Sequence, residues 1–172
     1  NSPEKLVPLQ DLLRQAEKFK LTFSYFFTHH FFETAADTFP LEFLHISNKN
    51  HPIIGEAPLA AFKPESHALR LQCERELRGL IIRLRSDFVY RLRNRTSLDF
   101  FLEAEKNLLP ILYGVHFLEK GTYPESKDSV REAYPFLQIP PPGQKESIVS
   151  ERANNYILEV EKILHHVDSM EV

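Results

Sequence analysis

The spacing of apolar residues changes near residue 62 and divides the chain into two parts. Before that point the apolar period shifts every few residues, and turn residues interrupt it. From Ser66 onwards apolar residues recur every three or four positions, as in a helix with one buried side. The first such stripe consists of Leu69, Cys73, Leu77, Leu80, Leu84 and Phe88, with Ile81 and Leu92 at its edge.

Four elements are predicted in the first part. A helix runs from about Val7 to Phe19, because its leucines have helical spacing and Pro8 suits a first turn. The segment Leu21–Phe27 is rich in aromatic and β-forming residues, which predicts a strand. A helix capped by Thr28 should then extend to about Thr38. Alternation within Leu41–Ile46 predicts a second strand, largely buried.

Three helices should follow the one that starts at Ser66. Thr96 or Ser97 is a suitable cap for the next helix, in which Pro110 should cause a kink and Gly121 should end the element. A short helix closed by Pro135 and a long carboxy-terminal helix complete the pattern. Short connections between helices favour an antiparallel, up-down bundle.

The predicted fold class is therefore α+β and mostly helical. Residues 1–62 should form a small, incomplete α/β unit, and residues 63–172 a helical bundle. A length of 172 residues suffices for one full core or two small ones. The chain begins with Asn1 and its single methionine is Met170, so we expect it to be part of a longer protein.

Charge is distributed unevenly along the chain, although the net charge is only -3. Residues 66–95 contain eight arginines and three acidic residues, whereas residues 119–172 contain six basic and ten acidic residues. Apart from histidine, every basic residue between 66 and 95 is arginine, the residue best suited to bidentate binding of phosphate or carboxylate. This uneven distribution of charge bears on which partners the chain could bind and not on its fold.

One flank of the predicted central helix could bind an anion. Helical spacing places five residues on it: His67, Arg70, Glu74, Arg78 and Arg85. Two interpretations remain open. The flank is either a solvent-exposed face of ion pairs, in which Glu74 pairs with both neighbouring arginines, or a site for a nucleotide, a nucleic acid or an acidic protein.

Gly79 lies in the middle of the same helix and costs about 1 kcal/mol relative to alanine there. Such a glycine predicts that another group packs close to the backbone.

No complete catalytic or metal-binding motif is present in the sequence. The pairs His29–His30 and His165–His166 consist of adjacent residues, whose rings diverge by about 100° on a helix, so neither pair forms a helical zinc clasp. Cys73 lies within the leucine stripe and should be a buried, inert thiol. The five glycines form no phosphate-binding loop. We therefore assign no catalytic residue, no metal site and no cofactor to this chain.

Neither an apolar run of about 18 residues nor an amino-terminal signal occurs in the sequence, and we expect a cytoplasmic location.

Three segments together resemble a known family. They are "TFPLEFLHI", "GEAPLA" and "LRLQCERELRGLIIRLR", in this order and spacing between Thr38 and Arg85. They resemble the region after the catalytic motif in bacterial nucleotidyltransferase-domain proteins of the polymerase-β type. Glu42 stands at the family's strand glutamate, and His45 at a position where many members have aspartate. The residues that match the family's helix motif are Gln72, Glu74, Glu76, Arg78 and Gly79.

In that family a Gly-Ser turn and an Asp-x-Asp pair hold Mg²⁺ and a nucleoside triphosphate. Neither motif occurs in this chain. The resemblance therefore implies the end of a nucleotidyltransferase domain plus a helical bundle, with Mg²⁺ and nucleotide expected only in a complete parent protein.

Two functional hypotheses follow. The first is an accessory or substrate-binding portion of a nucleotidyltransferase-like protein, inactive by itself, whose Arg78 face meets a nucleotide, a nucleic acid or an acidic partner. The second is a structural or dimerising interaction module, a possible homodimer with no nucleotide role. Salt should separate them, because phosphate contacts weaken steeply with salt and apolar contacts do not.

Overall fold

The computed structural model describes residues 3–23, 25–57, 59–60, 62–91, 97–141 and 145–172, and all regular structure in these residues is helical. Short 3-10 turns occur at Pro3–Leu6 and Pro135–Leu137. The α-helices are α1 (Leu9–Lys18), α2 (His29–Thr34), α3 (Pro40–Asn48), α4 (Ser66–Arg91), α5 (Ser97–Lys120), α6 (Lys127–Ala133) and α7 (Glu146–Asp168). The α+β prediction is therefore wrong, because the described residues include no strand and no α/β unit.

The predicted strand at Leu41–Ile46 lies within the helix α3. Pro40 occupies the first turn, where its fixed backbone angle suits a helix. Leu41 and Leu44, three positions apart, are both buried, and α3 packs against α4 and α5. Alternation over six residues fits either element, and burial of the i, i+3 pair in the bundle favours the helix.

The other predicted strand, Leu21–Phe27, is also wrong. Its described residues belong to neither a helix nor a strand. Strand pairing needs a neighbouring strand with which to exchange backbone hydrogen bonds. None is present in the part of the chain that the structure describes.

Two compact units divide the chain, Asn1–Glu33 and Thr34–Val172. The first contains α1, which agrees with the predicted helix, and α2 begins near its end. Ala16 is the one residue of α1 that is buried. Side chains in the following segment are exposed, with Phe19 at 77% and Tyr25 at 74%.

Helix α4 forms the centre of the second unit and packs against α5 and α7. Its predicted leucine stripe is confirmed: Leu69, Cys73, Leu77, Leu80 and Leu84 are all at most 2% exposed. Leu92, predicted at the stripe's edge, lies outside the described residues.

Hydrogen bonds fix the direction of α7 relative to α4. Arg70 near the start of α4 approaches the Val167 carbonyl near the end of α7, at 3.5 Å. Arg85, further along α4, instead contacts Glu161, at 2.7 Å. The two helices are therefore antiparallel.

Gly114 allows close packing between α3, α4 and α5. A β-carbon at this position would lie 2.6 Å from Leu41 Cδ1 and 2.7 Å from Cys73 Sγ. The backbone of α5 thus approaches its neighbours where a side chain would clash. Gly121 ends α5 as predicted, with φ of +69° and its N–H donating to the Phe117 carbonyl at 2.8 Å.

Candidate functional site

The candidate site is the surface where α4 meets α7, and it is built around Glu74. This carboxylate accepts hydrogen bonds from Arg70 at 3.1 Å and from Arg78 at 2.8 Å. The hydrogen bond from Arg78 is the main cause that lowers the pKa of Glu74, and burial opposes it. The Arg70 and Glu74 side chains are 13% and 18% exposed, whereas that of Arg78 is 53% exposed. The i, i+4 pairs predicted from the sequence are therefore formed.

Besides Arg70, which approaches the Val167 carbonyl, two further arginines of α4 reach α7. Arg78 lies 3.5 Å from Asp168 at the end of that helix. Arg85 donates to Glu161 at 2.7 Å. Each guanidinium carries five N–H donors, so these contacts leave others directed at solvent.

A surface cleft of about 380 Å³ opens between the two helices at this point. Its polar lining includes Arg78, Arg85, Glu161 and His165. Ile82 lies at its apolar side and is 69% exposed. An anionic group entering this cleft would meet two guanidinium groups and the Glu161 carboxylate beside an apolar wall.

The charges of this network balance among themselves. Three arginines (Arg70, Arg78 and Arg85) face three carboxylates (Glu74, Glu161 and Asp168). Two of its pairs, Arg78–Asp168 and Arg85–Glu161, join α4 to α7. Exposed ion pairs contribute only about 0 to 1 kcal/mol each, so the half-exposed guanidiniums can be shared with a ligand at small cost.

His67 does not join this network. It is exposed in the first turn of α4, and its backbone N–H donates to Glu65 at 3.0 Å. Glu65 also accepts from the Ala68 N–H at 2.6 Å and so caps the helix. The predicted flank of five residues is thus assembled without its histidine.

The segments that carry the family resemblance pack against each other. The side chain of Gln72 accepts from the Leu41 N–H at 2.8 Å and donates to Glu42 at 2.7 Å. Gln72 is buried, and its amide is satisfied on both sides by α3. Residues 31 positions apart in sequence thus form one hydrogen-bonded junction between α3 and α4.

In the described part of the chain, Glu76 and Gly79 make no comparable contact between helices. Glu76 lies 3.5 Å from its exposed neighbour Arg75. A β-carbon on Gly79 would meet nothing within 4 Å. Among the described residues no group packs close to the Gly79 backbone, contrary to the expectation from the sequence.

Cys73 is fully buried, as predicted, and its Sγ approaches the Ile111 carbonyl at 4.0 Å. Burial, followed by the charges of Glu76 and Glu42, raises the pKa of this thiol to about 12. A nucleophilic role needs the thiolate, which this environment suppresses.

Sequence reasoning missed a buried ion-pair cluster between α5 and α6. Glu105 is 3% exposed and accepts from Arg131 at 2.7 Å and from Lys127 at 3.3 Å. Burial opposes its charged form, but these hydrogen bonds outweigh burial and keep the pKa of Glu105 below its ordinary value. The spacing could have indicated a buried carboxylate, because Glu105 lies four residues from both Phe101 and Leu109 and so on the apolar side of α5.

The sequence also did not predict a contact between α3 and the loop that follows α5. His45 Nδ1 forms a hydrogen bond with the Tyr123 hydroxyl. This contact joins α3 to the loop after α5, since His45 lies on α3 and not in the predicted strand.

No family model, no curated protein and no solved structure matches this chain. Within the described residues, no group of three or more His, Cys, Asp or Glu side chains is arranged to hold a metal ion. None of the helices in the described part of the chain combines the length and apolar composition that crossing a membrane requires.

Proposed function

We propose that this chain is the accessory, non-catalytic portion of a nucleotidyltransferase-like protein, and that the cleft between α4 and α7 binds an anionic group of its substrate or partner. The observation that carries the proposal is the pair of half-exposed guanidiniums, Arg78 and Arg85, which line one cleft and are held in place by carboxylates. Arginine held in this way is suited to bidentate contacts with carboxylate or phosphate.

Preorganisation distinguishes this cleft from an ordinary charged surface. Glu74 orients Arg78, and Glu161 orients Arg85, so a ligand need not fix either long side chain. Ordering such a side chain on binding would otherwise cost about 0.5 to 1.5 kcal/mol.

The nucleotidyltransferase part of the proposal rests on the sequence resemblance, whose first and third segments meet at the junction between α3 and α4. Glu42 and Gln72, both part of the resemblance, hydrogen-bond to each other. Their direct contact means that the two separate sequence segments pack together at one junction. The Gly-Ser turn and the Asp-x-Asp pair do not occur in this sequence, and we therefore assign no catalytic step to it.

Fluorescence anisotropy tests the cleft with three labelled probes: ATP, a single-stranded oligonucleotide and hexaglutamate. Removing a bidentate contact should cost about 1.5 to 3 kcal/mol, so R78A and R85A should each weaken the preferred probe at least tenfold. R85K should recover only part of the affinity, since lysine keeps the charge but loses the planar fork.

Arg83→Ala provides the matched control. Arg83 belongs to the same helix and is exposed, but it lines a different cleft, between α4 and α5. Equal affinities of R78A, R85A and R83A for every probe would contradict the proposal.

A second candidate, a dimerising interaction module, is favoured by the exposed apolar side chains of α4. Leu71, Ile82 and Val89 are 45%, 69% and 63% exposed. Sedimentation equilibrium tests this function directly. A dimer that persists in high salt and dissociates on substitution of Ile82 would support it, because apolar contacts are not screened by salt.

A further inference from the structure

The adjacent histidines in the last turn of α7, His165 and His166, have different surroundings. His166 Nε2 forms a hydrogen bond with Glu119 on α5, at 2.8 Å. His165 instead lines the cleft between α4 and α7, together with the two arginines of the candidate site. Adjacent residues on a helix project about 100° apart, so one histidine faces α5 and the other faces the cleft.

The imidazole of His165 has no hydrogen-bond or ion-pair partner in the part of the chain that the structure describes. Both arginines of the cleft, in contrast, are already paired with carboxylates of this chain. His165 is exposed at the surface of α7. Its ring nitrogens are therefore accessible to a group that enters the cleft.

The ion pairs of the network give the cleft no surplus positive charge. Its three arginines face three carboxylates. A neutral histidine leaves this sum unchanged, whereas a protonated histidine adds one positive charge. Histidine is the side chain that ordinarily gains its charge between about pH 8 and pH 5. The net charge that an anion meets in the cleft therefore depends on whether His165 carries a proton.

The charged groups around His165 do not cancel this gain. Glu161 lies four residues before it and Asp168 three residues after it, so either carboxylate is within reach of a protonated His165. Both carboxylates already contact arginines of α4. A carboxylate that turns to His165 would free guanidinium N–H groups for the ligand, so the surplus charge stays in the cleft. Lys162 is paired with Glu159, and no described residue outside α4 and α7 lines the cleft.

We propose that protonation of His165 controls the affinity of the cleft between α4 and α7 for oxyanions, so that the cleft binds sulfate or a phosphate group more tightly as the pH falls. This inference rests on the proposed function, because Arg78 and Arg85 bind the same anion, and it adds a third binding residue and a form of regulation. The protonated imidazole donates an N–H to an anion oxygen, and hydrogen bonds between charged groups are the stronger ones.

Inorganic sulfate is the probe, because its own charge does not change between pH 5.5 and pH 7.5. NMR titrations at constant ionic strength follow the Nε–Hε signals of Arg78 and Arg85 and the ring signals of His165. The dissociation constant should be about fivefold lower at pH 5.5 than at pH 7.5, since one charged donor is gained over this interval. The ring signals of His165 should shift as sulfate is added.

Substitutions of the two histidines separate charge from shape. H165Q should bind sulfate weakly at both pH values, because glutamine does not gain a charge. H165K should bind it tightly at both, because lysine keeps its charge throughout. H166Q is the matched control and should retain the pH dependence of the natural protein, since His166 faces α5. Thermal melting checks that each variant is folded.

The possible outcomes separate this inference from the proposed function. If R78A and R85A weaken sulfate binding, but the natural protein binds sulfate equally at both pH values, the role of His165 is overturned and the anion-binding cleft is retained. An unchanged pH dependence in H165Q, or its loss in H166Q, would also overturn the role of His165. No effect of the arginine substitutions, or no binding of sulfate at either pH, would overturn both proposals.

Discussion

Both sides of α4 carry leucine and isoleucine, but the two sides have opposite environments. On the inner side Leu69, Leu77 and Leu80 are at most 1% exposed against α5 and α7. On the outer side Leu71 and Ile82 are 45% and 69% exposed. Helical periodicity identifies the inner stripe, because its spacing is regular and free of charge. Helical periodicity does not explain why the outer side carries apolar residues interspersed with arginines.

The two ion-pair clusters repeat this contrast. Glu105 is buried and holds two cations between α5 and α6. Glu74 and Arg70 are 18% and 13% exposed, but Arg78, which pairs with the same carboxylate, is half exposed. The first cluster should therefore stabilise the fold, whereas the second is the one that we propose binds an anion. Substitutions on each side should make this difference measurable.

The largest effect is expected for Leu77→Ala. Removing a fully buried leucine should lower the free energy of unfolding by about 3 kcal/mol through lost burial and a residual cavity. Ile82→Ala on the outer side should change it by less than about 0.5 kcal/mol. Guanidinium chloride denaturation measures both. Similar losses for the two variants would remove the distinction between inner and outer sides.

Arg131→Ala should have the next largest effect. It leaves the buried Glu105 carboxylate with Lys127 alone, and we expect a loss of about 2.5 kcal/mol, less than for a fully buried pair because Arg131 is 37% exposed. Chemical denaturation at neutral pH measures the loss. Arg14→Ala, which removes a fully surface pair with Asp11, should be near zero.

The contribution of Glu105 to stability should also depend on pH. The folded pKa of Glu105 lies below its ordinary value of 4.5, so the charged group contributes stability above that value, and the contribution is lost as the pH falls through the folded pKa. Melting temperatures measured between neutral pH and pH 3 should therefore decline less steeply in E105Q than in the natural protein. Parallel declines would mean that Glu105 has the same pKa when folded and unfolded.

Replacing each of two mid-helix glycines by alanine should change the stability in opposite directions. Gly114→Ala places a β-carbon within 2.7 Å of Leu41 and Cys73 and should cost about 2 kcal/mol. Gly79→Ala meets open space and should stabilise the helix by about 0.5 to 1 kcal/mol. Thermal melting compares them. Destabilisation by Gly79→Ala would indicate a contact at that backbone in the folded chain.

A small effect on stability is expected for Arg78→Ala. Arg78 is half exposed, and Glu74 keeps Arg70 as a partner after the substitution, so the loss should stay below about 1 kcal/mol. Denaturation and probe binding are measured on the same preparation. A loss of several kcal/mol without any effect on binding would assign this arginine to the fold alone.

Part of the candidate site could be predicted from the sequence. Helical spacing alone places Glu74 between Arg70 and Arg78, because pairs four residues apart are neighbours on a helix. It could not place Glu161 or Asp168 beside these arginines. Those contacts depend on how α7 packs against α4, and residues 76 or 90 positions apart have no local signal of proximity.

The family resemblance located residues that meet in space, but it assigned the wrong secondary structure to one of them. Glu42 and Gln72 were both singled out, and they hydrogen-bond. Glu42 was expected on a strand and lies on α3. Six residues are too few for alternation to distinguish a strand from a short helix, and packing against α4 and α5 decides between them.

Local sequence patterns predicted the long helices, the buried leucine stripe of α4 and the end of α5 at Gly121, because each depends on residues within a few positions of one another. The tertiary structure was needed to show which side of α4 each neighbouring helix covers. It alone decided that Gly114 is crowded while Gly79 is open, and which carboxylates hold the arginines. These features depend on the relative placement of separate helices, which is fixed by the summed burial of many side chains and not by any local pattern.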